Sequence, residues 1–399
     1  MLAAIAVVSL AALAACGSGS GSKSDSSSAK GSGASRVTIS LASGSNGDEC
    51  QVDTTKVDAG PVTFTIDNKS ATAITEVELQ SDQKILGERE NLAPGLPPTS
   101  FTLTLGGGNY TIYCPGASDE DVDFTVTGKA APTPTGSAAT LLAQGTKSYA
   151  TYVSTQVNAM VTAVKNLQRA VDSGDVAAAQ EKYALARPFY EKIESDVEGF
   201  VLPGHKPTDN AGNLDYLIDM RASNLDPKVG WHGFHAVERD LFARKAITPS
   251  TKKLAAELTR NVQSLAKLSK SLTYKPEDLA NGAAGLLEEV QTNKISGEEE
   301  KYSHIDLVDF AANVEGAEES FASLKPGLTK IDPGLTKQIT QRFAAVDRML
   351  DGYRDAHALG GYERYTPQLK KTDANKLSQT VQALQDPLAS IAEKVATAG

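Results

Sequence analysis

His235 and Glu238 are the residues whose types and spacing best suit metal chemistry. Both lie in the stretch from Gly233 to Glu238. Side chains three residues apart share one face of a helix. An imidazole and a carboxylate placed in this way can bind a divalent or trivalent cation inside a helical bundle. A surface pair without a ligand is the alternative, because so short a motif also arises by chance.

Further polar residues are concentrated in three other stretches, two of which place them at helical spacing. They are Arg187, Tyr190, Glu194, Glu288, Glu289, Asp306, Asp309 and Asn313. Among apolar neighbours such residues form either a solvated helix face or a buried cluster that needs a cation to offset desolvation. Both interpretations stay open at this level.

Two cysteines, Cys50 and Cys114, lie in the N-terminal third of the chain. A disulfide is the default outside the cytoplasm. The alternative is a metal site that combines both thiolates with carboxylates such as Glu76 and Glu78. A blue-copper centre is excluded, since it needs two histidines close to a thiolate and all five histidines lie at or after His205.

The first 16 residues are typical of a bacterial lipoprotein signal peptide. They are apolar but too short for a permanent transmembrane helix, and they end in Leu-Ala-Ala-Cys16, which resembles a lipobox. We therefore expect Cys16 to be lipidated and to anchor the protein outside the cell membrane, in the periplasm or at the cell surface. A plain secretory signal is the alternative. No Lys or Arg precedes the apolar stretch, which suggests a translation start upstream of Met1.

The elements that must position these residues change in type along the chain. Residues 17–35 form a Ser/Gly tether. Alternating apolar and β-branched residues in 36–128 predict a small β-sandwich, and the Pro/Thr-rich residues 129–137 predict a linker. Residues 138–399 have helical periodicity and predict an all-α bundle, which includes a helix from Glu298 to Leu324.

Composition and missing motifs exclude several functions. A net charge of −10 argues against nucleic-acid binding, because that binding relies on Lys and Arg. No Walker loop, Rossmann fingerprint, His-Glu-x-x-His or Gly-x-Ser-x-Gly motif is present, so kinase, dehydrogenase and hydrolase chemistry lack their usual signatures.

Several stretches together resemble the EfeO/EfeM family of extracytoplasmic components of bacterial elemental iron uptake. These stretches are GFHAVE at 233–238, AAGLLEEV at 283–290, KISGEE at 294–299, the run 302–317 and ERENLAPG at 88–95. The resemblance implies an N-terminal cupredoxin-like sandwich followed by an imelysin-like, peptidase-type helical bundle that carries the GxHxxE motif.

The resemblance also implies a site and a function. His235 and Glu238 would bind metal, and Glu194, Glu289 and Asp309 would complete the shell. The protein would bind Fe²⁺ or Fe³⁺, deliver it to a membrane permease and work with a haem peroxidase, while the β domain would bind copper or iron and help to oxidise Fe²⁺. The loop 203–212 is longer than the family pattern, and His232 is not part of it.

Two other functions remain as alternatives to a non-enzymatic binding protein. One is a cell-surface zinc metallopeptidase with His235 as ligand and Glu238 as ligand or base. The other is an interaction module that binds no metal. Ligand type alone does not choose among iron, manganese and zinc.

Overall fold

The computed structural model describes residues 33–81, 84–129 and 134–398. The predicted signal peptide with Cys16, most of the Ser/Gly tether and residues 130–133 of the linker lie outside the described residues. Within the described ranges, no helix is both long enough and apolar enough to cross a lipid bilayer.

Nine strands make up the described part of the N-terminal domain. They are β1 Ser35–Gly44, β2 Gly47–Val52, β3 Lys56–Asp58, β4 Gly60–Asn68, β5 Val77–Ser81, β6 Lys84–Arg89, β7 Thr99–Leu105, β8 Gly108–Tyr113 and β9 Asp121–Thr127. One sheet has the order β2-β1-β4-β7 and the other β3-β9-β8-β5-β6. Apolar residues that alternate along the strands, such as Val37, Ile39 and Leu41 of β1, are buried in a single core, as expected when each sheet buries one face.

Eleven α-helices follow among the residues that the structure describes. They are α1 Ser137–Ser173, α2 Val176–Glu191, α3 Glu194–Val197, α4 Leu214–Asp219, α5 Gly233–Glu238, α6 Pro249–Leu268, α7 Pro276–Glu289, α8 Asp306–Ile331, α9 Pro333–Asp351, α10 Pro367–Ala389 and α11 Ile391–Ala396. A π-helical turn continues α5 over Arg239–Ala243, and another continues α7 over Val290–Lys294. The predicted order of a β domain followed by a helical bundle is confirmed, while the cupredoxin-like character of the β domain stays a prediction.

Helix α1 shows how the pattern of the sequence builds the bundle. Val153, Val157, Met160, Val164 and Leu167 lie at alternating steps of four and three residues, and all are at most 2% exposed. This stripe packs into the large core of the bundle. Such an apolar face is the main source of stability for a long helix.

Helix α7 joins the two domains along strand β7, which is an edge strand. Asn281 donates from Nδ2 to the carbonyl oxygen of Thr102 at 2.8 Å. Glu277 accepts from the backbone amide of Thr104 at 3.1 Å. Side chains of α7 therefore use backbone groups that would otherwise face solvent at the sheet edge.

Candidate metal centre

His235 lies among carboxylates in the interior of the bundle and is 1% exposed. Its Nδ1 is 3.2 Å from Glu238 Oε2. Its Nε2 is 3.1 Å from Glu299 Oε1 and 3.6 Å from Asp219 Oδ1. Both ring nitrogens thus face carboxylate oxygens, so the imidazole belongs to two groups of metal-ligand type. Their donor atoms lie within 4.8 Å of one another: His235 with Asp219 and Glu299, and His235 with Glu238 and Glu300.

The glycine of the GxHxxE motif positions this histidine. Gly233 begins α5 with a φ of +68°, and a Cβ there would lie 2.0 Å from the carbonyl oxygen of Ile218. Only glycine allows both this conformation and this close approach. Because Ile218 precedes Asp219 at the end of α4, the same contact brings Asp219 to His235.

Both π-helical turns begin directly after an acidic residue of the centre. Glu238 is the last residue of α5 and Glu289 the last of α7, and the second π turn ends at Lys294. Single π turns inside helices are rare, and those that occur are frequently found at functional sites, where they change the direction of side chains.

Residues 295–305 form an irregular segment that carries Glu299 and Glu300 into the centre. The prediction of a helix from Glu298 is wrong, because the backbone amides of Tyr302 and Ser303 donate to Glu238 Oε1, each at 2.7 Å. These amides are therefore used by a side chain, and α8 begins only at Asp306.

Two buried cations lie inside the acidic cluster. Lys294 Nζ is 3.1 to 3.6 Å from carboxylate oxygens of Glu191, Glu299, Glu289 and Glu194.

The guanidinium of Arg187 also contacts Glu299, at 3.0 Å. Arg187 Nε is 3.2 Å from Glu300 and Nη2 is 3.4 Å from Asp309, and further ion pairs join Arg187 to Glu191 and Asp219. Each cation is therefore shared by several carboxylates.

The cluster as described carries more negative than positive charge. Nine carboxylates are buried here: Glu191, Glu194, Asp219, Glu238, Glu289, Glu299, Glu300, Asp306 and Asp309. The described cations that face them are Arg187, Lys294, the partly exposed Arg221 and, when protonated, His235. Full ionisation would leave about five uncompensated charges, which a protein interior does not tolerate. Protons or bound cations must supply the difference.

The pKa values show where protons are held. Burial raises the pKa of Asp219 and of Asp306, each to about 7, and raises that of Glu300 well above its ordinary range. Burial and Arg187 lower the pKa of His235, but hydrogen bonds to Glu238 and Glu299 and the charge of Asp219 outweigh them and hold it well above its usual value. The centre therefore retains protons that a metal ion could displace.

Several buried oxygens in the cluster also lack a hydrogen-bond partner among the described residues. These are Asp219 Oδ2, Asp306 Oδ2, Asp309 Oδ1 and Asn313 Oδ1. Unsatisfied buried acceptors are costly and uncommon. Together with the excess of carboxylates they indicate a site built for a cation with a preference for oxygen and nitrogen ligands.

The predicted ligands fall into two parts of this cluster. His235 and Glu238 are in contact, as their spacing predicted. Asp309 lies beside Arg187 and, with Glu191 and Glu299, forms a third group of metal-ligand type. Glu194 and Glu289 lie at Lys294. The structure thus brings all five into one buried network, with Glu194 and Glu289 around the lysine.

Sequence reasoning missed Asp219, Glu191, Glu299 and Glu300 as members of the centre. Glu299 and Glu300 belong to the acidic run 298–300, which overlaps the motif at 294–299, a signal that the predicted helix obscured. Asp219 carried no spacing signal, because the turn at Gly233 creates its contact. His232 lies outside the centre and contacts Glu257 at 3.1 Å.

In the β domain Cys50 and Cys114 form a disulfide. Of the two alternatives predicted for them, the disulfide is the one in the structure, and it removes the thiolates as metal ligands. Glu76 and Glu78 lie instead with Glu88, with ligand oxygens within 4.8 Å of one another.

Glu88 of this acidic group also lines a cleft between the two domains. The cleft has a volume of about 140 Å³ and is lined by Glu88 and Glu90 from one domain and by Glu198, Glu288 and Glu289 from the other. Burial and the charge of Glu198 raise the pKa of Glu88 well above its usual range. Because Glu289 also contacts Lys294, the cleft reaches the edge of the buried centre.

Comparison with known proteins supports a single family. Residues 145–391 match the family model described as imelysin. The iron uptake system component EfeO of Escherichia coli O1:K1 is 35% identical over 352 residues, which cover 87% of each chain. The chain belongs to the EfeO family. The EfeO proteins of E. coli K12 and Shigella flexneri are each 34% identical over the same share of both chains.

A solved structure from Parabacteroides distasonis, described provisionally as an iron-regulated protein A precursor, is a more distant likeness. It is 15% identical, with a TM-score of 0.49, over 66% of this chain and 98% of its own. It supports no inference about function. The GxHxxE motif, Gly233 to Glu238, lies inside the region that matches the imelysin model.

Proposed function

We propose that this protein is the iron-binding component of an elemental iron uptake system. It captures Fe²⁺ or Fe³⁺ in the buried centre around His235 and delivers it to a membrane permease. The excess of buried carboxylates over cations carries this proposal, because such a cluster gains most from a bound cation. The names of the EfeO relatives, iron uptake system components, supply the cargo.

His235 would provide one nitrogen ligand to the iron, and the carboxylates on either side would provide oxygens. On the Nδ1 side these are Glu238 and Glu300, and on the Nε2 side Asp219 and Glu299. Binding on either side requires a ring nitrogen without its proton, so capture of iron releases protons. Nitrogen and carboxylate ligands suit iron, manganese and zinc, so availability of the metal decides among them.

The cleft between the domains is the entry that we propose for the cation. Its carboxylates concentrate cations from a dilute solution. Glu289 at the inner end contacts both Arg221 and Lys294, so movement of one basic side chain would connect the cleft to the centre. The disulfide argues against a thiolate copper site in the β domain, and we do not include copper in the proposal.

The localisation is part of the same proposal. A lipid on Cys16 would hold the protein outside the cell membrane beside the permease, and a haem peroxidase of the same system would be the second partner. An acidic surface, with a net charge of −10, suits a protein that collects cations.

The structure favours binding over peptide hydrolysis. His235 and Glu238 are at most 1% exposed. Neither residue lines the interdomain cleft or the cavity beside Phe242. A peptidase must bring a scissile bond to its metal and bound water. We therefore expect the zinc-loaded protein to leave casein uncleaved, and cleavage that Glu238→Ala abolishes would restore the peptidase alternative.

The experiment that tests the proposal is calorimetric titration of the chain with Fe²⁺ under anaerobic conditions and with Mn²⁺. We expect saturable binding near one equivalent, lost in His235→Ala/Glu238→Ala. The matched control is His232→Ala/Glu257→Ala, which removes a partly exposed histidine and glutamate pair elsewhere. Equal binding by wild type and the first variant would refute the centre. Asp219→Asn and Glu238→Gln then show which side of the ring holds the metal.

A further inference from the structure

A second cavity lies in the helical bundle, and none of its described lining residues carries a carboxylate. It has a volume of about 570 Å³ and is formed by the start of α2, the end of the first π turn and the segment after α9. Pockets of 300 to 1,000 Å³ are typical of small-molecule sites. Apolar side chains, among them Val176, Ala177 and Phe242, line part of it.

Three basic residues line the same cavity: Lys245, His357 and Arg364. All three are exposed, and none of them forms an ion pair with another residue that the structure describes. Val176 and Ala177 begin α2, but the side chain of Asp175 caps this helix end by accepting from the backbone amide of Ala178. The three basic side chains, not the helix end, therefore supply the positive charge of the cavity. In a protein of net charge −10, this positive, partly apolar cavity is unusual and suits an organic anion.

The cavity lies directly behind the metal centre. Arg364 donates from Nε and Nη2 to the carbonyl oxygen of Ser303, at 3.1 and 2.8 Å. Ser303 in turn donates its backbone amide to Glu238 and its hydroxyl to Glu300. One residue therefore separates the cavity from two proposed metal ligands.

A second connection runs through aromatic rings. Phe242 of the cavity packs edge-on against Tyr183, with ring centroids 5.7 Å apart. The hydroxyl of Tyr183 donates to Glu300 at 2.7 Å. An occupant of the cavity would thus contact Arg364 and Phe242, whose neighbours Ser303 and Tyr183 donate to Glu300 of the centre.

We propose that this cavity binds a small polycarboxylate anion through Lys245, His357 and Arg364. The apolar lining covers the carbon skeleton, and the basic side chains pair with its carboxylates. Polycarboxylates with a hydroxyl are chelators of ferric iron, so the occupant would be the chelator from which the centre takes the metal. Only this last role rests on the proposed function, since the anion site itself requires no iron.

The test is calorimetric titration of the metal-free chain with tricarballylate, a tricarboxylate that lacks the chelating hydroxyl of citrate. We expect one saturable site in the wild type. Lys245→Gln/His357→Gln should weaken it at least tenfold, because two of the three basic groups are lost. Lys228→Gln/His205→Gln is the matched control and should bind as the wild type does, since both residues lie outside the cavity.

Mn²⁺ titration of the same variants separates the two proposals. Unchanged Mn²⁺ binding in Lys245→Gln/His357→Gln, with tricarballylate binding lost, supports the anion site. The proposal is overturned if tricarballylate gives no saturable binding, if both pairs of substitutions weaken it equally, or if acetate and phosphate bind as tightly. Loss of Mn²⁺ binding in His235→Ala/Glu238→Ala tests the centre alone, so failure of either proposal leaves the other measurable.

Discussion

Replacement of Lys294 by methionine should make the protein less stable without metal and more responsive to it. Methionine keeps most of the volume of the side chain but removes the cation that four carboxylates share. Removal of one partner of a buried ion pair costs about 3–5 kcal/mol, because the remaining charges stay buried without compensation. That is a large share of the 5–15 kcal/mol typical of a folded domain.

A bound divalent ion should restore much of this loss. At a concentration of 100 times its Kd, Mn²⁺ stabilises a wild-type site by about 2.7 kcal/mol. The variant has one more uncompensated charge, so we expect its affinity for Mn²⁺ to be at least about tenfold higher, an extra 1.4 kcal/mol. Urea unfolding followed by circular dichroism, with Mn²⁺ and with EDTA, measures both free energies of unfolding.

The control for this prediction is Lys192→Met, which removes a partly exposed lysine paired with Glu315. A surface pair of this kind contributes about 0–1 kcal/mol, and its loss should leave the effect of Mn²⁺ unchanged. An effect of Mn²⁺ on Lys294→Met that is equal to or smaller than its effect on the wild type would refute the reasoning. If the variant folded only in the presence of Mn²⁺, this would be the expected result in its strongest form.

Two other predictions concern the same centre. The stability of the metal-free protein should fall between about pH 4 and pH 7, because burial raises the pKa of Asp219 and Asp306 to about 7 and the folded chain in this range binds protons that the unfolded chain has released. The three-unit shift bounds the loss over this range at about 4 kcal/mol per group, and a urea midpoint in EDTA that rises between these pH values would contradict the prediction. Gly233→Ala should destabilise the protein by at least about 2 kcal/mol more than Gly230→Ala and should weaken Mn²⁺ binding. Both glycines have a positive φ, but only a Cβ at Gly233 would collide with a carbonyl oxygen. Equal urea midpoints for the two variants would refute the role of this turn.

Local patterns in the sequence predicted the elements and one pair of the centre. The steps of four and three residues in α1, the alternation in β1 and the change of period near residue 137 are all properties of short windows, so they follow from the sequence alone. The contact between His235 and Glu238 follows in the same way from a spacing of three residues.

Contacts between distant segments could not be predicted in this way. Asp219 reaches His235 only because α4 and α5 meet at Gly233, and Lys294 reaches four carboxylates only through a π turn. The sequence of the irregular segment 295–305 locally favours a helix. Glu238, however, accepts hydrogen bonds from two backbone amides that would otherwise have formed the bonds of that helix. Each case is a tertiary interaction that outweighs a local preference.

The docking of α7 on β7 has a consequence for any attempt to divide the protein. Strand β7 is an edge strand of one sheet, and its backbone groups at Thr102 and Thr104 form hydrogen bonds with the side chains of Asn281 and Glu277. A sandwich expressed without its bundle would present a bare strand edge, which is a template for pairing with another copy. The bundle therefore also protects the protein against self-association at this strand edge, a protection that the membrane anchoring proposed above would make more important by raising the local concentration.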